Sequence, residues 1–294
     1  MNTQDKSSSR NKSKAIGKSA LSYTSSRNPQ KTPFFRRLDI RFPWLKLIFV
    51  VILGIIAIAD LCDLTISRAN NYIIMAKIAP MQKHAKIAER DLKGKKLVVL
   101  TFDDGPSSIT TPVLLDTLKK RDVPAVFFML GNMARNNPDL VREVEKNGHE
   151  VASHTMYHQN LTSIPLASAV ADINEAKSTL SGILGHEPAY TRPPYGNNND
   201  AIRSAMGTPV ILWSVDTLDW KYKNTESIVS IALSQVHDGA IILMHDIHPT
   251  SVEAVPVLID ELRKAGYEFV TIKELAEIKG IKLNAGGLYR NILP

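Results

Sequence analysis

Cysteine is all but absent from this 294-residue chain, where Cys62 stands alone. One thiol can form neither an internal disulfide nor a CxxC metal site, so the fold has to rest on its core rather than on covalent staples. No internal repeat is present. Positive charge is scarce where nucleic-acid binding would need it: the net +7 comes from Met1 to Lys46, with 11 Lys/Arg against 2 acids, while the remainder carries 25 against 27. A basic stretch placed directly before an apolar segment orients a membrane span, and nucleic acid is not an expected partner. Residues 1–33 also carry almost no large apolar side chains and cannot offset the entropy of ordering. Residues 1–45 are therefore expected to be a disordered basic tail on the cytoplasmic side.

Long hydrophobic runs are equally few. The stretch LIFVVILGIIAIA, Leu47 to Ala59, has no polar residue, and its apolar flanks extend it to about twenty residues, enough to cross a bilayer. The expectation is one transmembrane helix over 46–66, retained as a signal-anchor, with everything beyond it outside the cell membrane. Ala57 to Ala59 forms an A-x-A pattern, so secretion after cleavage near Ala59 is the alternative. Asp60 to Cys62 is a poor lipoprotein signal, because Leu61 is too bulky before the cysteine. Residues 67–95 mix apolar and charged helix formers and suit a stalk.

What remains is rich in short apolar runs: KLVVLTF, AVFFML, EVASH, AYTRPP, VILWSV, AIILMH and YEFVTI, separated by amphipathic segments such as TPVLLDTLKKRD. Strands alternating with helices at this spacing predict an α/β fold, with parallel strands in a closed or nearly closed sheet. A domain over 96–280 follows, with 281–294 as a C-terminal tail.

In such sheets reactive groups gather at the carboxyl ends of the strands. Here KLVVLTF runs into Asp103 and Asp104, EVAS into His154, AYT into Arg192, VILWSV into Asp216 and Asp219, and AIILM into His245 and Asp246. His154 and His158 are spaced i and i+4, which on a helix places both imidazoles on one face, where they can share a metal. Adjacent carboxylates repel when both are ionised, so the Asp103–Asp104 pair calls for a cation or a proton-transfer role. Two His and one carboxylate leave a coordination position open, the mark of a catalytic rather than a structural zinc site.

The segments TFDDGP (101–106), HTMYH (154–158), RPPYG (192–196), DTLDW (216–220) and LMHD (243–246) resemble, in order and spacing, the five motifs of the polysaccharide deacetylase family, carbohydrate esterase family 4 or NodB-homology domains. The match covers most of the chain beyond the stalk. It implies a distorted, incomplete (β/α) barrel that removes acetyl groups from N-acetylglucosamine polymers or from acetylated xylan. By that resemblance Asp104, His154 and His158 hold a divalent metal, usually zinc, with other divalent transition metals possible, and Asp103 is the general base. His245 is the general acid, paired with Asp219. Arg192 keeps Asp103 ionised and oriented, the Tyr195 backbone N–H supplies an oxyanion donor, and Trp220 and Leu243 line the acetyl pocket. His84, His149, His186, His237 and His248 match no motif and are expected to be surface or packing residues. Asp246 receives no catalytic role, and Asp216 is assigned at most a supporting one for its loop.

Membrane anchoring outside the cell favours an insoluble neighbour, so peptidoglycan glycan strands are the expected partner. The stretch from His245 through HDIHPTSVEAVPVLIDELRKAGYEFVTI resembles Gram-positive peptidoglycan N-acetylglucosamine deacetylases. The same motifs serve chitooligosaccharide or exopolysaccharide deacetylases and acetylxylan esterases, which remain the enzymatic alternatives. A phosphate-handling receiver domain would leave HTMYH, RPPYG and DTLDW without purpose. A glycan-binding protein that retains the fold without turnover is the non-enzymatic alternative.

Overall fold

The computed structural model describes residues 94–293 continuously, together with residue 92 and scattered helical positions between 51 and 67. The expected tail over 1–45 lies outside the described residues, as does most of the expected membrane span over 46–66 and of the stalk over 67–95. Among the described residues no helix is long and apolar enough to cross a membrane. Two compact units are distinguished, Met1–Ile74 and Met75–Pro294, and all that follows belongs to the second.

Its elements alternate as the sequence predicts: β1 (Lys96–Asp103), α1 (Thr111–Lys120), β2 (Val126–Met129), α2 (Gly131–Asn136), α3 (Pro138–Lys146), β3 (Glu150–Ser153), α4 (Leu166–Leu184) and α5 (Asp200–Met206). There follow β4 (Val210–Ile211), β5 (Val215–Asp216), α6 (Asp219–Tyr222), α7 (Thr225–Gln235), β6 (Ala240–His245), α8 (Pro249–Lys264), β7 (Tyr267–Phe269), α9 (Ile272–Lys279) and β8 (Leu288–Tyr289). The main sheet runs β3-β2-β1-β6-β5 with β7 also paired to β1, and all these pairings are parallel.

Single bridges and one two-residue ladder carry the ring onward: Ser153 pairs with Thr191, Thr191 with Val210, β4 pairs with β8 over two positions, and Asn291 returns to Ala240. The barrel is thus closed by fragments rather than by full strands. AYTRPP, expected as a strand, supplies only the Thr191 bridge, since two consecutive prolines remove the backbone donors a ladder needs. VILWSV splits into two two-residue strands. Residues 281–294, expected as a tail, instead carry β8 and bury Ile292 in the core, so the domain reaches nearly to the chain's end. Sequence missed this because NAGGLYRNILP offers too short an apolar run to signal a strand.

β1 is buried at every position after Lys96, as a central parallel strand should be. Its side chains alternate between two cores. Val98, Leu100 and Phe102 join Phe127, Met129, Ile242, Met244 and the apolar faces of α1 and α8, while Leu97 and Val99 join Val126, Phe128, Ala152, Ile211 and Ile241 in the barrel interior. The period of two sets the chemistry. Continuing the interior row, Leu97 and Val99 lead to Thr101 and Asp103, Ile241 leads to Leu243 and His245, and Ala152 leads to His154. Asp103, His154 and His245 thus stand at the mouth end of inward-facing rows whose lower positions are apolar.

Phe102 faces the outer core, away from these groups. Phe102→Ala is expected to lower the unfolding free energy by about 3–5 kcal/mol, read from urea denaturation, and to leave the barrel-mouth groups in place. A loss under about 1 kcal/mol would contradict the assigned packing.

Candidate metal centre and its flanking ion pairs

Asp103 and His245 are register partners on adjacent strands, so they reach the mouth side by side. Asp104 follows in the left-handed region, φ 75, which turns its carboxylate off the strand. Gly105 is required by close approach: a Cβ there would lie 2.3 Å from both carboxylate oxygens of Asp246.

The i, i+4 spacing of His154 and His158 does not reflect a helix. Residues 154–158 form a loop after β3, with Thr155 at φ 71 and His158 at φ 56. Both imidazoles still reach one point. His154 Nε2 lies 3.5 Å and His158 Nε2 3.3 Å from Asp104 Oδ1, and the three ligand atoms all fall within 4.8 Å of one another. Zinc bonds of about 2.0–2.1 Å at the tetrahedral angle place ligand atoms about 3.3 Å apart, so this spacing fits a divalent ion. Asp104 Oδ1 is buried without a hydrogen bond, an orphaned acceptor that a cation would satisfy. His154 Nδ1 lies 2.7 Å from the Arg192 carbonyl, which fixes the proton on Nδ1 and leaves the Nε2 lone pair free. Burial drives the His154 pKa down to about 3, so the ring is neutral, the form that binds metals.

Asp103 is a different kind of carboxylate. Arg192 Nη1 donates to its Oδ1 at 2.6 Å and to Thr101 Oγ1 at 2.9 Å, while Nε and Nη2 donate to the Ile211 and Leu212 carbonyls. The guanidinium is wholly buried, over the Phe128 ring at 3.9 Å. Burial raises the Asp103 pKa above its ordinary value, and Arg192 is the largest influence pulling it back. Arg192 thus opposes the cost of burying the Asp103 carboxylate and holds one of its oxygens in place.

On the other flank, Asp219 Oδ1 takes His245 Nδ1 at 2.8 Å, and Oδ2 accepts the His245 backbone N–H and the Ser251 hydroxyl. Burial lowers the His245 pKa, but the Asp219 hydrogen bond and charge outweigh it and raise the value to about 9. Asp219 is itself held below the ordinary carboxylate range, because this bonding overcomes its burial.

Of the remaining predicted residues, Tyr195 sits at φ 61 with its ring exposed and edge-on to His158 at 4.7 Å. Trp220 is half-exposed and Leu243 is buried on the interior row. His248, expected to be a surface or packing residue, stands with its ring 5.9 Å from that of His245. His149 packs against Phe127 as expected of a packing histidine. Ser251 had no signal in the sequence, whereas Asp246 was marked by its place at the end of the AIILMH run and given no catalytic role. Asp246 is fully buried, accepts from the Thr111 hydroxyl, and has its pKa raised by burial to about 7.

With this geometry in hand, the sequence profile described as polysaccharide deacetylase matches residues 90–208. The chain is 43% identical over 197 residues, 67% of its own length and 42% of the relative's, to peptidoglycan-N-acetylglucosamine deacetylase PgdA of Listeria monocytogenes. It thus spans about two fifths of that relative's length. A peptidoglycan-N-acetylglucosamine deacetylase of Bacillus cereus is 35% identical, covering 71% of this chain and 82% of that one. Among solved structures, peptidoglycan deacetylase PdaC of Bacillus subtilis is similar with a TM-score of 0.62 at 41% identity, covering 64% of this chain and 93% of that one.

Because Asp219 is what lifts His245, Asp219→Asn is expected to lower the His245 pKa from about 9 towards or below its ordinary 6.5, measured by NMR titration of the ring in metal-free protein. The protonated form would then be lost near neutral pH instead of surviving to the alkaline side. An unchanged His245 titration would contradict the assigned pairing.

Proposed function

Because this chain belongs to the polysaccharide deacetylase family, we propose that it hydrolyses the N-acetyl groups of N-acetylglucosamine residues in cell-wall peptidoglycan, releasing acetate and leaving free amines. The observation that carries this reading is the placement of two ion pairs, Asp103–Arg192 and Asp219–His245, beside three convergent ligand atoms. The names borne by its relatives support the substrate, and the basic tail before the apolar run supports a single-pass anchor with the catalytic domain outside.

Asp104, His154 and His158 would hold a divalent cation, which we take to be zinc and which would supply Lewis-acid polarisation of the acetamide carbonyl and a more acidic water. Asp103 accepts the proton of the attacking water. A carboxyl whose pKa burial has raised is a stronger base than an exposed one, and Arg192 keeps enough of it ionised to act. The Tyr195 N–H, presented by a left-handed backbone, donates to the developing oxyanion. His245 protonates the leaving amine from Nε2, since Nδ1 is committed to Asp219. With a pKa near 9 it stays charged through neutral pH and loses its proton as pH rises through that value, so turnover declines on the alkaline side. Trp220 and Leu243 bound the space for the acetyl methyl.

The test is acetate release by the purified full-length chain from peptidoglycan, with chitin oligomers and acetylated xylan in parallel. Asp103→Asn is expected to lower turnover by about 10²–10⁴-fold while retaining metal, whereas His154→Ala loses the metal. Release from xylan alone would overturn the substrate, and the reverse variant pattern would overturn the assignment of base and ligand.

A further inference from the structure

The two histidine ligands are joined by three residues whose backbone is unusual. Thr155 is β-branched at φ 71, a conformation such side chains rarely adopt unaided, and the loop ends on His158, also left-handed at φ 56. A loop held this way persists only if its surroundings over-determine it. On one side the surroundings are backbone: the Gly131 and Asn132 N–H groups at the start of α2 donate to the Thr155 and Met156 carbonyls at 2.9 and 3.2 Å. Met156 is fully buried, and a Cβ at Gly131 would come within 2.4 Å of its sulfur, so the fit there is closed.

On the other side the acceptor is a side chain. Asp172, on the inner face of α4 and only 6% exposed, takes the Met156 N–H on Oδ1 at 2.7 Å. Its Oδ2 and the Thr155 hydroxyl oxygen are both buried without a hydrogen bond among the described residues, so the Met156 N–H is the bond that ties this carboxylate to the turn. One helical turn along, Glu175 accepts from the Tyr157 hydroxyl at 3.2 Å and is itself held by Arg135 at 2.7 Å. A buried carboxylate is costly to keep, and this one makes no ion pair among the described residues.

We propose that Asp172 is a positioning residue for the metal centre: it fixes the 155–157 turn so that His154 and His158 converge on Asp104 before any ion arrives. This rests on the metal-centre reading above. Preorganised ligands bind more tightly because less ordering is left for the binding step, and supporting groups of this kind alter metal affinity by about 10–100-fold when removed.

Zinc affinity of the full chain, measured by competition with a chromophoric chelator alongside thermal unfolding of the metal-free protein, tests it. Asp172→Ala is expected to bind zinc at least about 10-fold more weakly, and Asp172→Asn, which keeps a carbonyl acceptor, to restore most of that loss. Asp172→Leu, which fills the volume without an acceptor, replaces the alanine variant should that one not fold. A purely structural role would lower the unfolding temperature while leaving affinity within about twofold of the parent, and that result overturns the proposal. Failure of the parent itself to bind zinc would overturn the metal-centre reading as well.

Discussion

Arg192 carries its charge where water does not reach, and every arm of its guanidinium is met by a fixed acceptor: Asp103, Thr101 and the carbonyls of Ile211 and Leu212. Its own carbonyl orients His154. One residue therefore ties β1, the end of β3 and the broken β4–β5 segment into a single frame. The cost of burying a guanidinium is tolerable only because all these partners are present, and losing one partner of such a pair typically costs about 3–5 kcal/mol. The frame also explains why the barrel can afford fragments for strands around residue 191. Side-chain bonds from Arg192 take the place of ladder bonds that RPP cannot make.

Two ionisable groups stand next to each other at the top of this frame, and their surroundings drive them to opposite tasks. Burial raises the pKa of Asp103 against the pull of Arg192, while Asp219 raises that of His245 to about 9. Neither property belongs to the residue type alone. Both follow from which partner the fold supplies at hydrogen-bond distance, and both are in place before a substrate enters.

Much of this was legible in the sequence because the period of two in β1 and β6 projects Asp103 and His245 onto the inward row above an apolar filling. The motif order also identified Asp104, His154, Arg192 and Asp219. Other features were not legible, for physical reasons. The spacing of His154 and His158 fits a helix as well as it fits a strained loop, and only the left-handed Thr155 and His158 decide between them. Ile292 and β8 join the core through a run too short to show a period. Ser251 and Asp172 act through tertiary contacts that no local pattern announces.

On this reading Asp104, His154 and His158 form one metal site, with Asp103 beside it and outside it. Anomalous diffraction from zinc-loaded crystals tests this most directly. One peak is expected about 2.0–2.2 Å from Asp104 Oδ1 and from both Nε2 atoms, with Asp103 still bonded to Arg192. A peak ligated by Asp103, or a peak elsewhere with these three atoms unliganded, would contradict it.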